Sequence, residues 1–259
     1  MANNKLIKNQ AKEALSLGNN WVVAVAGTLI IGVIATFIYY VLSLTEVVPV
    51  LFDDYKNSQI SESVCYLVGL LTVMLSTPFL LGYIRLCYKI AKGGKVQLSE
   101  MFYYYTSGQN YRRALSICIL YISKFVLMFS LISIIPTGIV WWLYRTLQTI
   151  NAGDCLILLT IITIMSAVTS VLIMAKYVNT VFIFFENECL YEYANMYSKA
   201  SKKIYKSQKH SVIGLALSFF AWIFMLPFVL PLLYIMPYFT VSICNFCKWS
   251  IYSELINNE

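Results

Sequence analysis

Residues 212–247 have the sequence VIGLALSFFAWIFMLPFVLPLLYIMPYFTVSICNFC, which contains no charged side chain over 36 residues. A continuous helix of this length would be roughly 54 Å long, whereas the hydrocarbon core of a bilayer is about 30 Å thick. Only Pro227, Pro231 and Pro237 interrupt the run, which favours two shorter apolar segments that meet near these prolines. The stretch therefore predicts a membrane protein.

The composition of the whole chain agrees with this prediction. Hydrophobic residues make up 59% of the 259 residues and charged residues only 12%, which excludes an ordinary soluble domain. We predict an all-α, polytopic membrane helical bundle that forms a single integral membrane domain over residues 1–259. Its six transmembrane helices are expected at 21–42, 65–83, within 114–144, within 155–185, at 212–227 and at 232–247. Because the last two are short, five spans are the alternative.

The distribution of lysine and arginine orients this bundle. With the N-terminus inside, the inner segments hold 16 of the 19 basic residues, and the outer loops hold only Lys56 and Arg145. Cytoplasmic loops of membrane proteins are enriched in these residues. Both termini are therefore predicted to be cytoplasmic.

A basic stretch with helical spacing precedes each odd-numbered span, which predicts three helical hairpins over 5–83, 99–185 and 193–252. The first of these lead-in segments has an apolar face formed by Ile7, Ala11, Ala14 and Leu15. The third has a basic face formed by Lys199, Lys202, Lys203, Lys206 and Lys209. Amphipathic helices of this kind suit the cytoplasmic surface, with apolar residues in the interface and lysines near anionic headgroups. Ordinary connecting helices are the alternative.

Two lysines interrupt otherwise apolar segments. Lys124 lies ten residues beyond Ala114, and Lys176 lies ten residues before Glu186, so both are expected at similar depth if their helices are antiparallel. Arg85 and Lys89, at the inner end of the second segment, could join them in a pocket for a lipid headgroup or another anion. Snorkelling of the lysine side chains to the interface is the alternative.

Motifs for catalysis or cofactor binding are absent from the sequence. It contains no GxxxxGK[ST] phosphate loop, no HExxH and no GxSxG. Cys244 and Cys247 have metal-ligand spacing, but no second ligand pair accompanies them, and a packing role is favoured. We expect no enzyme activity, no metal, no cofactor and no nucleic-acid partner.

Several local strings occur together in a recognisable order. They are Ala11-Lys12-Glu13-Ala14-Leu15, Gly18-Asn19-Asn20-Trp21, Leu81-Gly82-Tyr83, Glu100-Met101-Phe102, Ser201-Lys202-Lys203-Ile204, the string Ser218 to Trp222, and Pro237-Tyr238. From about residue 6 to residue 252 the chain resembles the bacterial integral membrane family catalogued as domain of unknown function (DUF) 975. The resemblance implies a polytopic protein of the bacterial plasma membrane and no established activity. Ser218, Ala221, Trp222, Pro237 and Tyr238 are expected to act structurally, with the small residues allowing close helix approach.

These observations favour a non-enzymatic membrane protein that engages anionic lipid or a membrane-active peptide at the cytoplasmic leaflet. Such a protein could serve envelope homeostasis or self-protection, or could assist a transporter, with membrane lipids and a membrane protein or peptide as partners. The alternative is a small secondary transporter or channel. In that case the anion site would lie near Lys124 and Lys176, and the proline-broken last hairpin would be the discontinuous element.

Overall fold

A computed structural model describes residues 4–51, 58–147, 152–186, 194–217 and 229–256. Every regular element in these ranges is helical, which confirms the all-α prediction. The α-helices are α1 (Asn4–Ser16), α2 (Asn20–Leu51), α3 (Ser58–Ala91), α4 (Gly108–Leu147), α5 (Ala152–Met174), α6 (Asn179–Glu186), α7 (Ala194–Leu217) and α8 (Val229–Ile256). Two 3₁₀ segments are η1 (Leu98–Tyr105) and η2 (Ala175–Tyr177).

Three helical stretches are long and apolar enough to cross a membrane, namely Asn20–Tyr40, Gly108–Tyr144 and Leu156–Glu186. They expose large apolar side chains, among them Val33, Ile135 and Leu156, which are each about two-thirds exposed. Apolar surface on this scale is stable against lipid and unfavourable in water. These stretches overlap the first, third and fourth predicted spans, and the first stretch ends two residues before the predicted end at residue 42.

The other three predicted spans do not lie in these stretches. Residues 65–83 and 232–247 lie on α3 and α8, and their role as spans stays a prediction. Most of the segment 212–227 lies outside the described residues, because α7 is described only to Leu217.

The chain divides into two compact units. Unit 1 consists of residues 1–118 and 214–259, and therefore contains α1, α2, α3, η1 and α8. Unit 2 consists of residues 119–213 and contains most of α4, with α5, η2, α6 and most of α7. The division into three hairpins stays a prediction.

The apolar face of α1 is buried inside unit 1. Ile7, Ala11, Ala14 and Leu15 are the buried residues of this helix, and α1 contacts α8, α3 and α2. The helical spacing selected the right four residues, but the expectation that they face the lipid interface was wrong. Protein covers them, because α8 and α3 lie against this face.

The buried amide of Asn20 joins three segments of unit 1. Its nitrogen donates to the carbonyls of Ala14, at 3.1 Å, and Gly94, at 3.0 Å. Its oxygen accepts a hydrogen bond from the backbone N–H of Val96 at 3.3 Å. The turn that delivers Asn20 from α1 passes through Gly18 with φ of 57°, a left-handed conformation that suits glycine. The start of α2 is thereby fixed to the loop that follows α3.

Close approach of α3 and η1 depends on Gly82. A Cβ atom at this position would lie 2.0 Å from the carbonyl oxygen of Met101, so only glycine fits. The next residue, Tyr83, is buried and its hydroxyl lies 2.9 Å from the hydroxyl of Thr28 in α2. Two of the strings on which the family resemblance rests, at residues 81–83 and 100–102, therefore meet in the core.

Pro78 interrupts the hydrogen bonding of α3 without ending the helix. A proline has no N–H, so the carbonyl of Met74 lacks its usual helical donor. The hydroxyl of Tyr111 donates to this carbonyl at 3.5 Å, and the hydroxyl of Tyr105 donates to that of Leu75 at 2.5 Å. The hydroxyl of Thr77 in α3 also donates to the carbonyl of Met74, at 3.1 Å. The proline-weakened part of α3 is therefore stabilised by side chains of α3, η1 and α4.

The described residues of the last apolar run belong to two helices, namely the end of α7 up to Leu217 and α8 from Val229 onward. α8 begins at Val229 and continues to Ile256, and it includes the predicted last segment, 232–247. The helix continues through Pro237, which lies inside that predicted segment. The ring of this proline is buried within α8, and the neighbouring helices of unit 1 hold the helix together across it.

Candidate functional site

The candidate site lies where the helical stretch Leu156–Glu186 is interrupted. α5 ends at Met174, α6 begins at Asn179, and η2 occupies the interruption between them. Tyr177 in η2 is buried, and its carbonyl accepts a hydrogen bond from the hydroxyl of Tyr121 in α4. A 3₁₀ turn inside a long helix often marks a hinge or a functional position.

Three lysine ammonium groups lie near the ring of Tyr177. The Nζ atoms of Lys124, Lys176 and Lys202 lie 4.4, 5.2 and 5.3 Å from the ring centroid. These distances are within the range of cation–π attraction, which partly offsets the burial of the charges. We call these three lysines and Tyr177 the Tyr177 lysine cluster. It brings together side chains from α4, η2 and α7.

Lys124 is held in place by α7. Its ammonium group donates to the hydroxyl of Ser198 at 2.5 Å and to the side-chain oxygen of Asn195 at 3.4 Å. The hydroxyl of Ser201, one turn later, donates to the carbonyl of Lys176 at 3.0 Å. Polar contacts from one helix therefore fix both the lysine of α4 and the backbone of η2.

Among the described residues, no carboxylate forms an ion pair with Lys124, Lys176 or Lys202. Any two of their nitrogens lie at most about 10 Å apart, which is comparable with the screening length at ordinary ionic strength. The charges therefore repel one another when the site is empty. Lys202 is exposed and the other two are half-buried, so an anion can reach the site from the surface.

The structure brings together Lys124 and Lys176, the two lysines that the sequence placed at similar depth. Sequence reasoning missed Lys202 as a member, because it was assigned only to the basic face of the third lead-in segment. The sequence feature that could have identified Lys202 is its position directly after Ser201, a small residue in one of the strings on which the family resemblance rests. Lys199, Lys203 and Lys206 are exposed on the same helix. The side chain of Lys209 lies outside the described part of the chain.

Arg85 and Lys89, the other two candidates, belong to unit 1 and contact η1. The guanidinium carbon of Arg85 lies 3.4 Å from the ring centroid of Tyr103. The ammonium group of Lys89 forms an ion pair with Glu100 at 2.7 Å. These contacts attach the end of α3 to η1, and an anion-binding role for either residue stays a prediction.

The predicted structural motif is only partly described. Ser218, Ala221 and Trp222 lie outside the described residues. The ring of Tyr238 is tilted against that of Tyr234, with centroids 6.1 Å apart, and the ring of Tyr234 lies 4.8 Å from that of Trp21. Tyr234, the neighbour of Tyr238 on α8, thus connects α8 to the start of α2.

The cysteines of the Cys244-x-x-Cys247 spacing are free and fully buried in unit 1. The thiol of Cys244 lies 4.0 Å from the carbonyl oxygen of Ile84 in α3. Helical spacing places both on one face of α8, where they fill the contact between helices, as expected of small apolar residues.

Comparison with protein families gives one match over nearly the whole chain. The family described as "Protein of unknown function (DUF975)" matches residues 1–252. The chain belongs to this family, which confirms the resemblance inferred from the local strings. Comparison with curated proteins and with solved structures gives no match.

Proposed function

We propose that this member of the DUF975 family is a non-enzymatic protein of the bacterial plasma membrane that binds the anionic headgroup of a lipid at the cytoplasmic leaflet. The observation that carries the proposal is the Tyr177 lysine cluster. Three positive charges converge there on one aromatic ring, and no carboxylate among the described residues neutralises them. Lysines that converge without an acidic partner are an expected arrangement for anion binding.

The mutual repulsion of the lysines supports a bound anion. Two unit charges about 10 Å apart in a medium of effective dielectric about 20 repel by roughly 2 kcal/mol, before salt screening. Three such pairs oppose the empty arrangement, and a headgroup phosphate among the ammonium groups reverses the sign of the interaction. A basic membrane-active peptide would add to the repulsion. Anionic lipid is therefore the preferred ligand of the two considered from the sequence.

We further propose that the chain has six spans and that both termini are cytoplasmic. The distribution of basic residues supports this orientation, and so do contacts within unit 1. Asn20, at the start of α2, binds the carbonyl of Gly94 beyond α3, and the ammonium group of Lys248 in α8 donates to the carbonyl of Ala91 at 3.2 Å. One end of unit 1 therefore gathers the segments for which the sequence predicts a cytoplasmic location.

The interruption of the helix at η2 favours a second candidate function, that of a small anion transporter or channel. Transporters commonly bind substrate where a transmembrane helix is broken. Here the described break lies at Tyr177 and the lysines, whereas α8 is continuous over its described residues, Val229–Ile256. In this case purified protein in liposomes would move anions across the bilayer, whereas a lipid-binding protein would not.

Native mass spectrometry of protein extracted gently from its own membrane tests the main proposal. We expect a discrete retained lipid mass on the parent and its loss in the variant Lys124→Leu/Lys176→Leu. The matched control is Lys199→Leu/Lys203→Leu, which removes the same charge from exposed positions of α7 and should retain the lipid. Equal retention by both double variants would contradict the proposal.

A further inference from the structure

Resting on the proposed function, we infer that the Tyr177 lysine cluster selects a phosphomonoester headgroup over a phosphodiester headgroup. A phosphomonoester is a phosphate attached through a single ester bond, as in phosphatidic acid. A phosphodiester is the linkage of phosphatidylglycerol and most other phospholipids. The inference depends on the number of cationic donors, their separate origins and the local balance of charge.

The number of donors matches a monoester. A phosphomonoester presents three terminal oxygens that accept hydrogen bonds, whereas a phosphodiester has two. Lys124, Lys176 and Lys202 belong to three different elements and place their ammonium groups near the same ring, so the site offers as many cationic donors as a phosphomonoester has terminal oxygens. The third terminal oxygen therefore distinguishes the two headgroup classes at this site.

The side chains around the site leave the ammonium protons available. Lys124 uses two of its three N–H donors on Ser198 and Asn195, so one remains for a ligand. Lys176 and Lys202 donate no hydrogen bond to a described residue. The described residues therefore leave at least one donor on each lysine for the anion.

The balance of charge at the site also favours a phosphomonoester over a phosphodiester. A phosphomonoester carries a charge of about −1.5 to −2 near neutral pH, whereas a phosphodiester carries one negative charge. Against three ammonium groups without a described carboxylate partner, the monoester neutralises more of the local charge. Lysine suits this role because its ammonium group is a compact charge that does not require the planar, bidentate partner favoured by arginine.

Lipid titration followed by native mass spectrometry tests the inference. Purified full-length protein is delipidated in a non-ionic detergent and titrated with phosphatidic acid or phosphatidylglycerol of identical acyl chains. We expect phosphatidic acid to bind about 10-fold more tightly at pH 7.5, equivalent to ~1.4 kcal/mol. At pH 5.5 the preference should fall to about 2-fold, because the second pKa of a phosphomonoester is about 6. The affinity for phosphatidylglycerol should not change over this range.

A matched pair of variants assigns the preference to the site. Lys202→Gln removes one ammonium group from the cluster, and Lys203→Gln removes the same charge from the neighbouring exposed position. The first should abolish the preference for phosphatidic acid at pH 7.5, and the second should leave it unchanged. Both variants keep α7 intact, because the buried Ser201 and Ile204 are unaltered.

Inorganic phosphate distinguishes the two sources of a phosphomonoester. If millimolar phosphate displaces phosphatidic acid but equimolar sodium chloride does not, the inference holds and free phosphate is a competent ligand. If phosphate does not compete while the lipid preference persists, the inference holds for a lipid phosphate. Equal affinity for the two lipids at pH 7.5 would overturn the inference and leave headgroup binding intact. A preference that survives Lys202→Gln and Lys124→Leu/Lys176→Leu would overturn both.

Discussion

Gly82 shows how a single residue can fix the packing of two elements. A side chain here would collide with the backbone of Met101, and backbone atoms in a packed core cannot move aside cheaply. We expect Gly82→Ala to destabilise the protein by about 3 kcal/mol or more, since overpacking alone commonly costs 1–3 kcal/mol. Thermal unfolding in detergent measures the effect.

The control for this prediction is Gly32→Ala. Gly32 also lies inside a helix, but a Cβ atom there meets nothing within 4 Å. Alanine should be neutral or slightly stabilising at this position, because it favours the helix. Equal melting temperatures for the two variants would show that α3 and η1 do not pack as described.

Asn20 is the second residue on which unit 1 depends. Its amide bonds to two carbonyls and one N–H, and removing it deletes one buried and two partly buried hydrogen bonds. Asn20→Ala should lower the free energy of unfolding by about 2–3 kcal/mol, given that each orphaned buried group costs roughly 1–3 kcal/mol. Asn9→Ala, at an exposed position of α1, should change it little. Denaturation followed by intrinsic fluorescence compares the two.

At the scale of elements, hydroxyl groups compensate for the missing donor at Pro78, both from Thr77 of α3 itself and from Tyr111 of α4. We expect Tyr111→Phe to destabilise the parent by up to about 1 kcal/mol, the usual contribution of one hydrogen bond. Pro78→Ala restores the N–H that bonds the carbonyl of Met74, so Tyr111→Phe should cost less in that background. A double-mutant cycle on thermal stability measures this coupling. Additive effects would mean that the tyrosine bond and the proline are independent.

The elements also show where sequence reasoning succeeds and where it stops. Helical spacing selected Ile7, Ala11, Ala14 and Leu15 correctly, because a 3.6-residue period defines the apolar face of an isolated helix. The period contains no information on what covers that face, and here the cover is protein instead of lipid. Lys124 and Lys176 could be paired because two antiparallel helices bring equal depths together. Lys202 could not be added, since the packing of α7 on η2 depends on contacts distant in sequence.

At the scale of the whole molecule, the proposed orientation assigns each exposed position to one side of the membrane. In a background without native cysteines, Lys203→Cys should react with a membrane-impermeant maleimide only after the cells are permeabilised. Asp154→Cys, at an exposed position near the start of α5, should react in intact cells. The physical reason is the enrichment of lysine and arginine on the cytoplasmic side. The reverse pattern would invert the bundle, and with it the leaflet assigned to the lipid.

The make-up of unit 1 has a consequence for biosynthesis. α1 is among the first segments to leave the ribosome, yet α8, which covers part of its apolar face, is among the last. In the amide orientation that satisfies both neighbours, the side-chain nitrogen of Asn245 in α8 donates to the carbonyl of Ala91 at 3.1 Å. Its side-chain oxygen accepts a hydrogen bond from the backbone N–H of Ala11, also at 3.1 Å. Until α8 is inserted, the part of the apolar face of α1 that α8 covers in the folded protein stays exposed. An incomplete chain is therefore more prone to aggregation than a completed one, because exposed apolar surface promotes association.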